Sequence, residues 1–203
     1  MQVIKKIYNL QSLNFLKNTN LKVAILGGSF NPVHHGHLLI SLIALNQYKF
    51  DYVIWLVAKQ NPLKAKYHVD LHSRAINALK FANHPKIIIS TAENDLKGNY
   101  TYDILNLLCK RYSQIDFTWL MGIDNLTKFH LWYRYKDIIK LCKIIIFDRP
   151  VESRFVNNSM LVTKLKPTVA KFQTSNIIIH KGMMRDISSS SIKAFAKNRG
   201  IIT

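Results

Sequence analysis

LKVAILGGSFNPVHHGHLLISLIALNQY, residues 21–48, is the stretch of sequence that decides the fold. Residues 21–26 are mostly apolar and predict a short buried strand, and Gly27-Gly28 predict the turn that ends it. Residues 37–48 carry apolar side chains at helical spacing, which predicts a helix. A buried strand that turns directly into a helix is typical of the first unit of a parallel α/β sheet.

The same alternation continues along the chain. Further strands are predicted at 52–58, 86–90, 116–121, 143–147 and 176–180, and helices at 70–82, 102–112, 135–141 and 189–198. Strands that alternate with helices predict a Rossmann-like, doubly wound parallel sheet with helices on both faces. The length favours a single domain over residues 21–203, preceded by an N-terminal extension over residues 1–20, which we expect to form a helix docked on the surface. The polar stretch 151–175 is expected to be a connection.

The charge balance is strongly basic, with 29 Lys and Arg against 11 Asp and Glu and a formal net charge of +18. Such an excess fits nucleic-acid binding, an anionic membrane surface or a polyphosphate substrate. The lysines are scattered rather than gathered into a block, which favours a compositional bias as the source of most of the excess. No nucleic-acid partner is therefore expected. No membrane partner is expected either, because no apolar run approaches the ~18 residues that a membrane span needs.

No export signal is recognisable near the N-terminus. The apolar stretch after Lys5 and Lys6 is interrupted by Asn9 and other polar residues, and no small-residue cleavage site follows. Cys109 and Cys142 are the two cysteines of the chain, and each lies within an apolar segment. We expect them to be reduced core thiols rather than a disulfide or a metal site, which predicts a cytoplasmic protein.

A glycine turn and a group of histidines follow the first strand. Gly27-Gly28-Ser29 lets backbone N–H groups approach an anion, because no Cβ stands in the way at the glycines. His34 and His37 are three residues apart, so both imidazoles are expected beside the helix N-terminus, where N–H groups favour phosphate. The pattern predicts a phosphate site. A tight turn, a metal pair and helix-capping histidines are the alternatives, and zinc is disfavoured because no Cys or nearby carboxylate completes a ligand set.

Five further motifs follow the histidine motif. In chain order, the six are GGSFNPVHHGH (27–37), NPLK (61–64), YT (100–101), MGIDNL with the following Phe129, Trp132 and Tyr133 (121–133), DRP (148–150) and ISSSSIK (187–193). In this combination the chain resembles the bacterial nicotinate-nucleotide adenylyltransferases of the HxGH nucleotidyltransferase superfamily, with His34-x-Gly36-His37 as the signature. The resemblance covers nearly the whole chain from residue 21 onward.

The resemblance implies a reaction, its substrates and a metal ion. The phosphate of nicotinate mononucleotide attacks the α-phosphorus of ATP in line, giving nicotinate adenine dinucleotide and pyrophosphate in NAD biosynthesis, with Mg²⁺ on the triphosphate. Two like unit charges ~4 Å apart repel by about 4 kcal/mol at an effective dielectric near ~20, so a site that joins two anions must be cationic. The implied partners are therefore ATP and nicotinate mononucleotide, and a homo-oligomer is left open.

On the ATP side, the resemblance implies His34 and His37 as the catalytic residues, with His37 at the α-phosphate. The other residues implied for ATP and its phosphates are Gly27, Gly28, Ser29, Gly36, Arg149, Ser188, Ser189, Ser190 and Lys193. A serine run before a helix is also an ordinary N-cap, and an arginine after a strand is also an ordinary loop residue. Lys193 stands where the family usually has Arg, so the phosphate contact loses the bidentate fork of a guanidinium.

On the mononucleotide side, the implied residues are Phe30, Asn31, Lys64, Thr101, Asp124, Trp132 and Tyr133. Trp132-Tyr133 offers an aromatic surface to the positive pyridine ring, with a cation–π contribution of about 1 to 2 kcal/mol. Thr101 is implied for the pyridine carboxylate, Asp124 for ribose hydroxyls and Lys64 for a phosphate. A core tryptophan and an exposed lysine are the ordinary alternatives for two of these positions.

Asn31 stands where the family usually has Asp, which removes a carboxylate but keeps a hydrogen-bonding amide. With Lys193, this departure leaves an inactive family member as one alternative. Nicotinamide mononucleotide and phosphopantetheine are alternative acceptors, although chains that use phosphopantetheine are shorter and lack the Gly-x-Asp-Asn and Trp-Tyr stretch. A basic nucleic-acid-binding protein is the non-enzyme alternative.

Overall fold

Seven parallel strands form one sheet in the computed structural model of the chain, which describes residues 6–17, 19–59, 69–147 and 176–180, with Thr127 described in its backbone alone. The strands are β1 (Ile7–Tyr8), β2 (Lys22–Gly28), β3 (Tyr52–Val57), β4 (Ile87–Ser90), β5 (Asp116–Gly122), β6 (Lys143–Phe147) and β7 (Ile177–His180). Their spatial order is β1-β4-β3-β2-β5-β6-β7, and every neighbouring pair is parallel.

Helices cover both faces of the sheet. They are α1 (His35–Gln47), α2 (Leu71–Phe81), α3 (Thr101–Arg111), α4 (Ile123–Phe129) and α5 (Tyr135–Leu141). Side chains alternate along each strand, so Val23 and Ile25 of β2 join one core, which also contains residues of α3, α4 and α5. Ala24 and Leu26 join the other core, which contains residues of α1 and α2. The predicted Rossmann-like, doubly wound sheet with helices on both faces is confirmed.

The strand order reverses beside β2, and this position determines where a site can form. From β2 the chain moves outward through β3 to β4, then returns to place β5 on the other side of β2. Leu26 of β2 pairs with Leu120 of β5, so the two strands end side by side at Gly28 and Gly122. Ligands of open parallel sheets bind in the crevice outside the carboxyl ends of strands at such a reversal. The motifs that begin at Gly27 and at Met121 therefore share one edge of the sheet.

The N-terminal residues differ from the expected surface helix. Ile7 and Tyr8 pair in parallel with β4, and a short 3₁₀ helix follows over Ser12–Leu16. Leu13 and Leu16 are fully buried in the core beside α3. This part of the extension is thus held by strand pairing and apolar burial, and the domain boundary at residue 20 stays a prediction.

One helix of the structure was not predicted, and two predicted segments lie outside the described residues. The motif that follows β5 contains a helix, α4, which the alternation of strands and helices did not predict. The predicted connection over 151–175 and the predicted helix over 189–198 lie outside the described residues. No helix in the described part of the chain is long and apolar enough to cross a membrane.

Candidate active site

Gly27 is required at the end of β2 because an aromatic ring occupies the space beside it. A Cβ at this position would lie 2.1 Å from Cη2 of Trp119, and Trp119 is itself 3% exposed on the neighbouring strand. Gly28 is less crowded: a Cβ there would meet Phe30 at 3.5 Å and Nε2 of His37 at 3.8 Å. Gly27 therefore allows close packing of β2 on β5, whereas Gly28 borders the histidine that follows.

His34 and His37 cap helix α1 reciprocally. Nδ1 of His34 accepts a hydrogen bond from the Gly36 N–H at 3.1 Å, and Nδ1 of His37 accepts one from the His34 N–H at 3.2 Å. A Cβ on Gly36 would lie 3.0 Å from the His34 ring, so glycine lets the ring fold back onto the backbone. The two imidazole centroids are 3.8 Å apart. The helix-capping alternative from the sequence is thus correct, and it brings the two rings together.

The capping bonds determine where each imidazole carries its proton. A nitrogen that accepts a hydrogen bond is unprotonated in a neutral ring, so both Nδ1 atoms lack a proton. The proton of each neutral ring then lies on Nε2, which becomes a hydrogen-bond donor. Since Nε2 of His37 lies beside Gly28 and the start of α1, the donor and the helix dipole both favour an anion at this place.

His37 is held by buried groups behind it. Its ring centroid is 4.6 Å from that of Phe30, which stacks at 5.2 Å on Trp55. The Trp55 indole N–H donates to Ser41 Oγ at 2.7 Å, and that hydroxyl donates to the His37 carbonyl at 2.8 Å. The ring and the backbone of His37 are therefore both fixed by one buried group of side chains.

Phe30 is implied for the mononucleotide by the sequence, but its ring is buried in the structure. Its side chain is 2% exposed and its backbone has a φ of 49°, in the left-handed region. The buried ring therefore supports His37. Ser29 and Asn31 on either side are exposed. We call Gly27–His37 the histidine loop.

A second group of predicted residues meets at the start of α3. Thr101 is the first residue of this helix, and the rings of its neighbours Tyr100 and Tyr102 lie 4.5 Å and 6.1 Å from that of Tyr133. Tyr100 is 54% exposed and Tyr133 is 48% exposed. We call Tyr100, Thr101, Tyr102, Trp132 and Tyr133 the aromatic patch, in which Trp132 is included as the chain neighbour of Tyr133.

Trp132 joins the aromatic patch to the core. Its ring packs edge-on against Trp119 at 6.3 Å and against Phe129 at 5.3 Å, and it is partly buried. Trp119 is the residue that requires glycine at position 27, so one buried ring contacts both regions of the candidate site. Asp124 is exposed in the first turn of α4, directly after β5 ends.

The structure leaves several sequence-predicted residues untested. Lys64, Arg149, Ser188, Ser189, Ser190 and Lys193 lie outside the described residues. Among residues that are described, the histidine loop is brought together by direct contacts, and Thr101 by its neighbours' contacts with Tyr133. No group of three or more His, Cys, Asp or Glu side chains in the described segments is arranged to hold a metal ion.

Tyr100 belongs to the same surface, although the motifs of the sequence assign no role to it. Its ring is the nearest partner of Tyr133 and is among the most exposed large side chains described. The resemblance implies a role for the adjacent Thr101 and none for Tyr100. The available signal was an aromatic residue directly before a helix that starts at the sheet edge.

Comparisons with known proteins agree with this geometry. The profile of the family described as cytidylyltransferase-like matches residues 25–195. A protein of Parvibaculum lavamentivorans, described as a probable nicotinate-nucleotide adenylyltransferase, is 43% identical over 136 residues, which are 66% of this chain and 68% of that protein. A protein of Roseobacter denitrificans with the same description is 35% identical over 155 residues, covering 76% of this chain and 74% of that one.

Solved structures share the fold at lower identity. The nicotinic acid mononucleotide adenylyltransferase of Plasmodium falciparum, solved in complex with NaAD, superposes with a TM-score of 0.63 at 18% identity. The superposition covers 86% of this chain and 83% of that chain. At this identity the likeness shows a common fold.

Proposed function

The chain belongs to the nicotinate-nucleotide adenylyltransferases within the cytidylyltransferase-like family, and from this membership we propose that it transfers the adenylyl group of ATP to nicotinate mononucleotide. The products are nicotinate adenine dinucleotide and pyrophosphate, as in a step of NAD biosynthesis. The observation that carries the proposal is the reciprocal capping of His34 and His37 at the sheet reversal. Both Nε2–H groups can then donate hydrogen bonds beside the N-terminus of α1.

The proposed chemistry is a single in-line displacement. A phosphate oxygen of the mononucleotide forms a bond to the α-phosphorus of ATP, while the bond from that phosphorus to the α,β-bridging oxygen breaks. The leaving pyrophosphate keeps the electron pair, and no bond to the protein forms. Nε2–H of His37 donates to the α-phosphate as charge develops there, and Nε2–H of His34 donates to the neighbouring phosphates. Because the buried Phe30 and Trp55 fix His37, the donor need not reorient during the reaction.

Mg²⁺ fits this site as a companion of ATP rather than as a resident ion. It prefers oxygen ligands and keeps several waters, and the described residues near the histidine loop offer no cluster of carboxylates. Bound to the triphosphate, it would supply positive charge to the leaving pyrophosphate. Asn31 stays a proposed contact of the mononucleotide, and Ser29 and Asn31 both have exposed side-chain oxygens that would be able to hydrogen-bond the water shell of the ion.

The aromatic patch supports the choice of a pyridine nucleotide as acceptor. Trp132 and Tyr133 present aromatic surface for the ring, and Thr101 begins a helix whose N–H groups suit the pyridine carboxylate. Asp124 is exposed after β5 and is proposed to hold ribose hydroxyls. Contacts of Lys64, Arg149, Ser188, Ser189, Ser190 and Lys193 with phosphates stay predictions.

A cytoplasmic location and the oligomeric state also stay proposals. Cys109 and Cys142 are both free thiols, which is what a reducing compartment leaves. ATP and a mononucleotide are the only partners that the proposed reaction requires, so a homo-oligomer is left open and no nucleic acid is proposed.

Pyrophosphate release from ATP and Mg²⁺ tests the proposal. Nicotinate mononucleotide, nicotinamide mononucleotide and phosphopantetheine are offered separately to the full chain. We expect turnover with nicotinate mononucleotide at a kcat/KM at least ~10-fold above the others, because a site built for a carboxylate leaves its donors unpaired with an amide. A preference for either other acceptor would reassign the substrate, and no turnover with any of them would refute the enzyme. Omission of Mg²⁺ is expected to abolish the rate.

A further inference from the structure

Arg74 is a buried arginine on the side of helix α2 that faces the core. It is 4% exposed and lies on the face of α2 that also carries Leu71, Ala75 and Ala78, at the spacing of buried helical positions. A guanidinium is rarely buried unless its donors are hydrogen-bonded, since removal of a charge from water is unfavourable. The partners of Arg74 therefore indicate why it is there.

The guanidinium of Arg74 donates hydrogen bonds to the backbone carbonyls of three separate segments. Nη1 donates to the Ser29 carbonyl at 2.7 Å and to the Ala58 carbonyl at 3.0 Å, and Nε donates to the Val69 carbonyl at 3.0 Å. Ser29 directly follows β2, Ala58 directly follows β3, and Val69 precedes α2. The Ala58 N–H also donates to the Gly28 carbonyl at 2.9 Å, which ties the same two strand ends together.

Buried and nearby carboxylates compensate the charge of Arg74. Burial lowers the pKa of its guanidinium, while the charges of Asp70 and Glu93 act in the opposite direction. Glu93 is 6% exposed, and its carboxylate accepts a hydrogen bond from the Lys59 N–H, next to Ala58. Arg74 thus remains a cation within a small network at the carboxyl ends of β3 and β4.

The Ser29 carbonyl is the contact that matters for the site. In a trans peptide, the C=O of one residue and the N–H of the next point in opposite directions. By holding the Ser29 carbonyl, Arg74 directs the Phe30 N–H away from itself and toward the other side of the histidine loop. Phe30 has a positive φ, a conformation that a bulky residue adopts only when its surroundings enforce it. The hydrogen bond to Arg74 is one such restraint.

We propose that Arg74 is a positioning residue for adenylyl transfer, which holds the backbone of the histidine loop in its phosphate-binding conformation through the Ser29 carbonyl. The proposal rests on the proposed function and assigns to a residue outside the six motifs a role in it. Arg74 touches no substrate in this account. Its loss is expected to act on ATP more than on the mononucleotide, because both catalytic histidines lie on this loop. Of the residues implied for the mononucleotide, Phe30 and Asn31 share the loop, whereas the aromatic patch lies on other elements.

Arg74→Met and Arg74→Lys test the proposal, with Arg111→Met as the matched control. Arg111 resembles Arg74 in having a buried nitrogen without a hydrogen-bond partner among the described residues, which is Nε in Arg111 and Nη2 in Arg74, and Nη2 of Arg111 donates to Asn14 at 2.9 Å. It is the last residue of α3 and precedes the start of β5, whereas Ser29 follows the end of β2. Its substitution removes a comparable side chain without touching the histidine loop.

Folding is measured first by circular dichroism and Tm, then kcat and KM for each substrate, and finally the increase in Tm that Mg²⁺-ATP produces. We expect folded Arg74→Met to lose about 10- to 100-fold in kcat/KM for ATP, with KM for the mononucleotide within about 3-fold of wild type. We expect Arg74→Lys to recover part of the loss, since an ammonium can hold one of the carbonyls. Arg111→Met is expected to keep both kinetic constants.

Several results would overturn the role of Arg74. These are wild-type ATP kinetics in folded Arg74→Met, equal losses toward both substrates, an equal loss in Arg111→Met, or failure of both Arg74 variants to fold. The ATP-dependent increase in Tm separates this test from the proposed function. If wild type shows no turnover, the reaction is refuted, whereas a smaller Tm increase in Arg74→Lys still supports the positioning of the phosphate loop.

Discussion

The histidine loop and the aromatic patch are built in opposite ways. The histidine loop is fixed by contacts within itself and by buried rings behind it, so that its nitrogen donors have one orientation. The aromatic patch presents exposed rings, with Tyr100 and Tyr133 each about half exposed. The difference teaches that developing charge on a phosphate requires fixed donors, whereas a flat pyridine ring requires accessible surface. Each region is expected to fail in its own way when it is altered.

His37→Ala is expected to have the largest effect on the rate. Loss of the Nε2–H donor at the α-phosphate should lower kcat by about 10²- to 10³-fold, because the donor acts mainly in the transition state. KM for the mononucleotide should change by less than about 3-fold. Steady-state kinetics with each substrate varied checks both numbers.

His35→Ala is the matched control for this substitution. His35 is exposed in the same turn of α1, and its ring contacts Phe81 at 5.1 Å. It should keep kcat near the wild-type value. Equal losses of kcat and mononucleotide affinity in His37→Ala would instead mean that the ring serves the structure of the loop.

Gly27→Ala and Gly28→Ala separate packing from phosphate binding. The added methyl at Gly27 meets the buried Trp119 ring at 2.1 Å, so we expect a loss of about 1 to 3 kcal/mol in the free energy of unfolding. At Gly28 the nearest contact is 3.5 Å, so stability should remain while kcat/KM for ATP falls. Urea unfolding and kinetics on the two variants test this split, and equal stability would contradict it.

Trp132→Ala is expected to weaken the acceptor without affecting ATP. Loss of the ring should raise KM for nicotinate mononucleotide by about 10-fold, which corresponds to about 1.4 kcal/mol. Trp132→Phe should keep most of the affinity, and Leu131→Ala, at a residue 72% exposed, should keep all of it. An unchanged KM in folded Trp132→Ala would remove the stacking role.

The core beneath the aromatic patch contains a buried thiol and is expected to lose stability at alkaline pH. Burial raises the pKa of the Cys142 thiol to about 12, from a reference value of 9.0. Its contribution to stability is complete below pH 9 and is lost as pH rises from 9 toward 12, because the thiol ionises more readily when unfolded. The free energy of unfolding should therefore fall by up to about 1.4 kcal/mol per pH unit in this window.

Cys142→Ala tests whether the buried thiol causes this loss of stability at alkaline pH, which is the smallest of the expected effects. Urea unfolding at several pH values above 9 should show a shallower decline in the variant than in wild type. Cys109→Ala gives a graded comparison, because the Cys109 thiol is less buried and its pKa is raised by the same cause, so its removal should flatten the decline less than removal of Cys142. Identical slopes in wild type and Cys142→Ala would contradict the assignment of a buried thiol.

The sequence predicts the central strands well because each is a run of apolar residues bounded by turn signals. It misses β1, whose two residues become a strand through pairing with β4 rather than through any local pattern. It misses α4 because the helix begins at Ile123, directly after the last residue of β5, with no loop between strand and helix. Local patterns predict elements that form from their own side chains, whereas these two depend on their neighbours.

The histidine loop and Arg74 show the same limit within the site. The spacing of His34 and His37 predicts that the rings share one face, but the reciprocal bonds that orient them depend on backbone geometry. The motif suggests Phe30 as a ligand residue, yet a positive φ turns its ring into the core. Arg74 occupies an apolar helical position, which was a readable signal, although its partners at Ser29 and Ala58 are distant in sequence.

The central claim is that the histidine loop and the aromatic patch contribute separately to one reaction. Its most direct test is the double variant His37→Ala with Trp132→Ala, compared with each single variant. The quantity measured is kcat/KM for nicotinate mononucleotide at saturating ATP, by pyrophosphate release. If the histidine loop and the aromatic patch act independently, the two losses multiply, so their free-energy changes add within about 0.5 kcal/mol. A double variant no slower than His37→Ala alone would contradict the account.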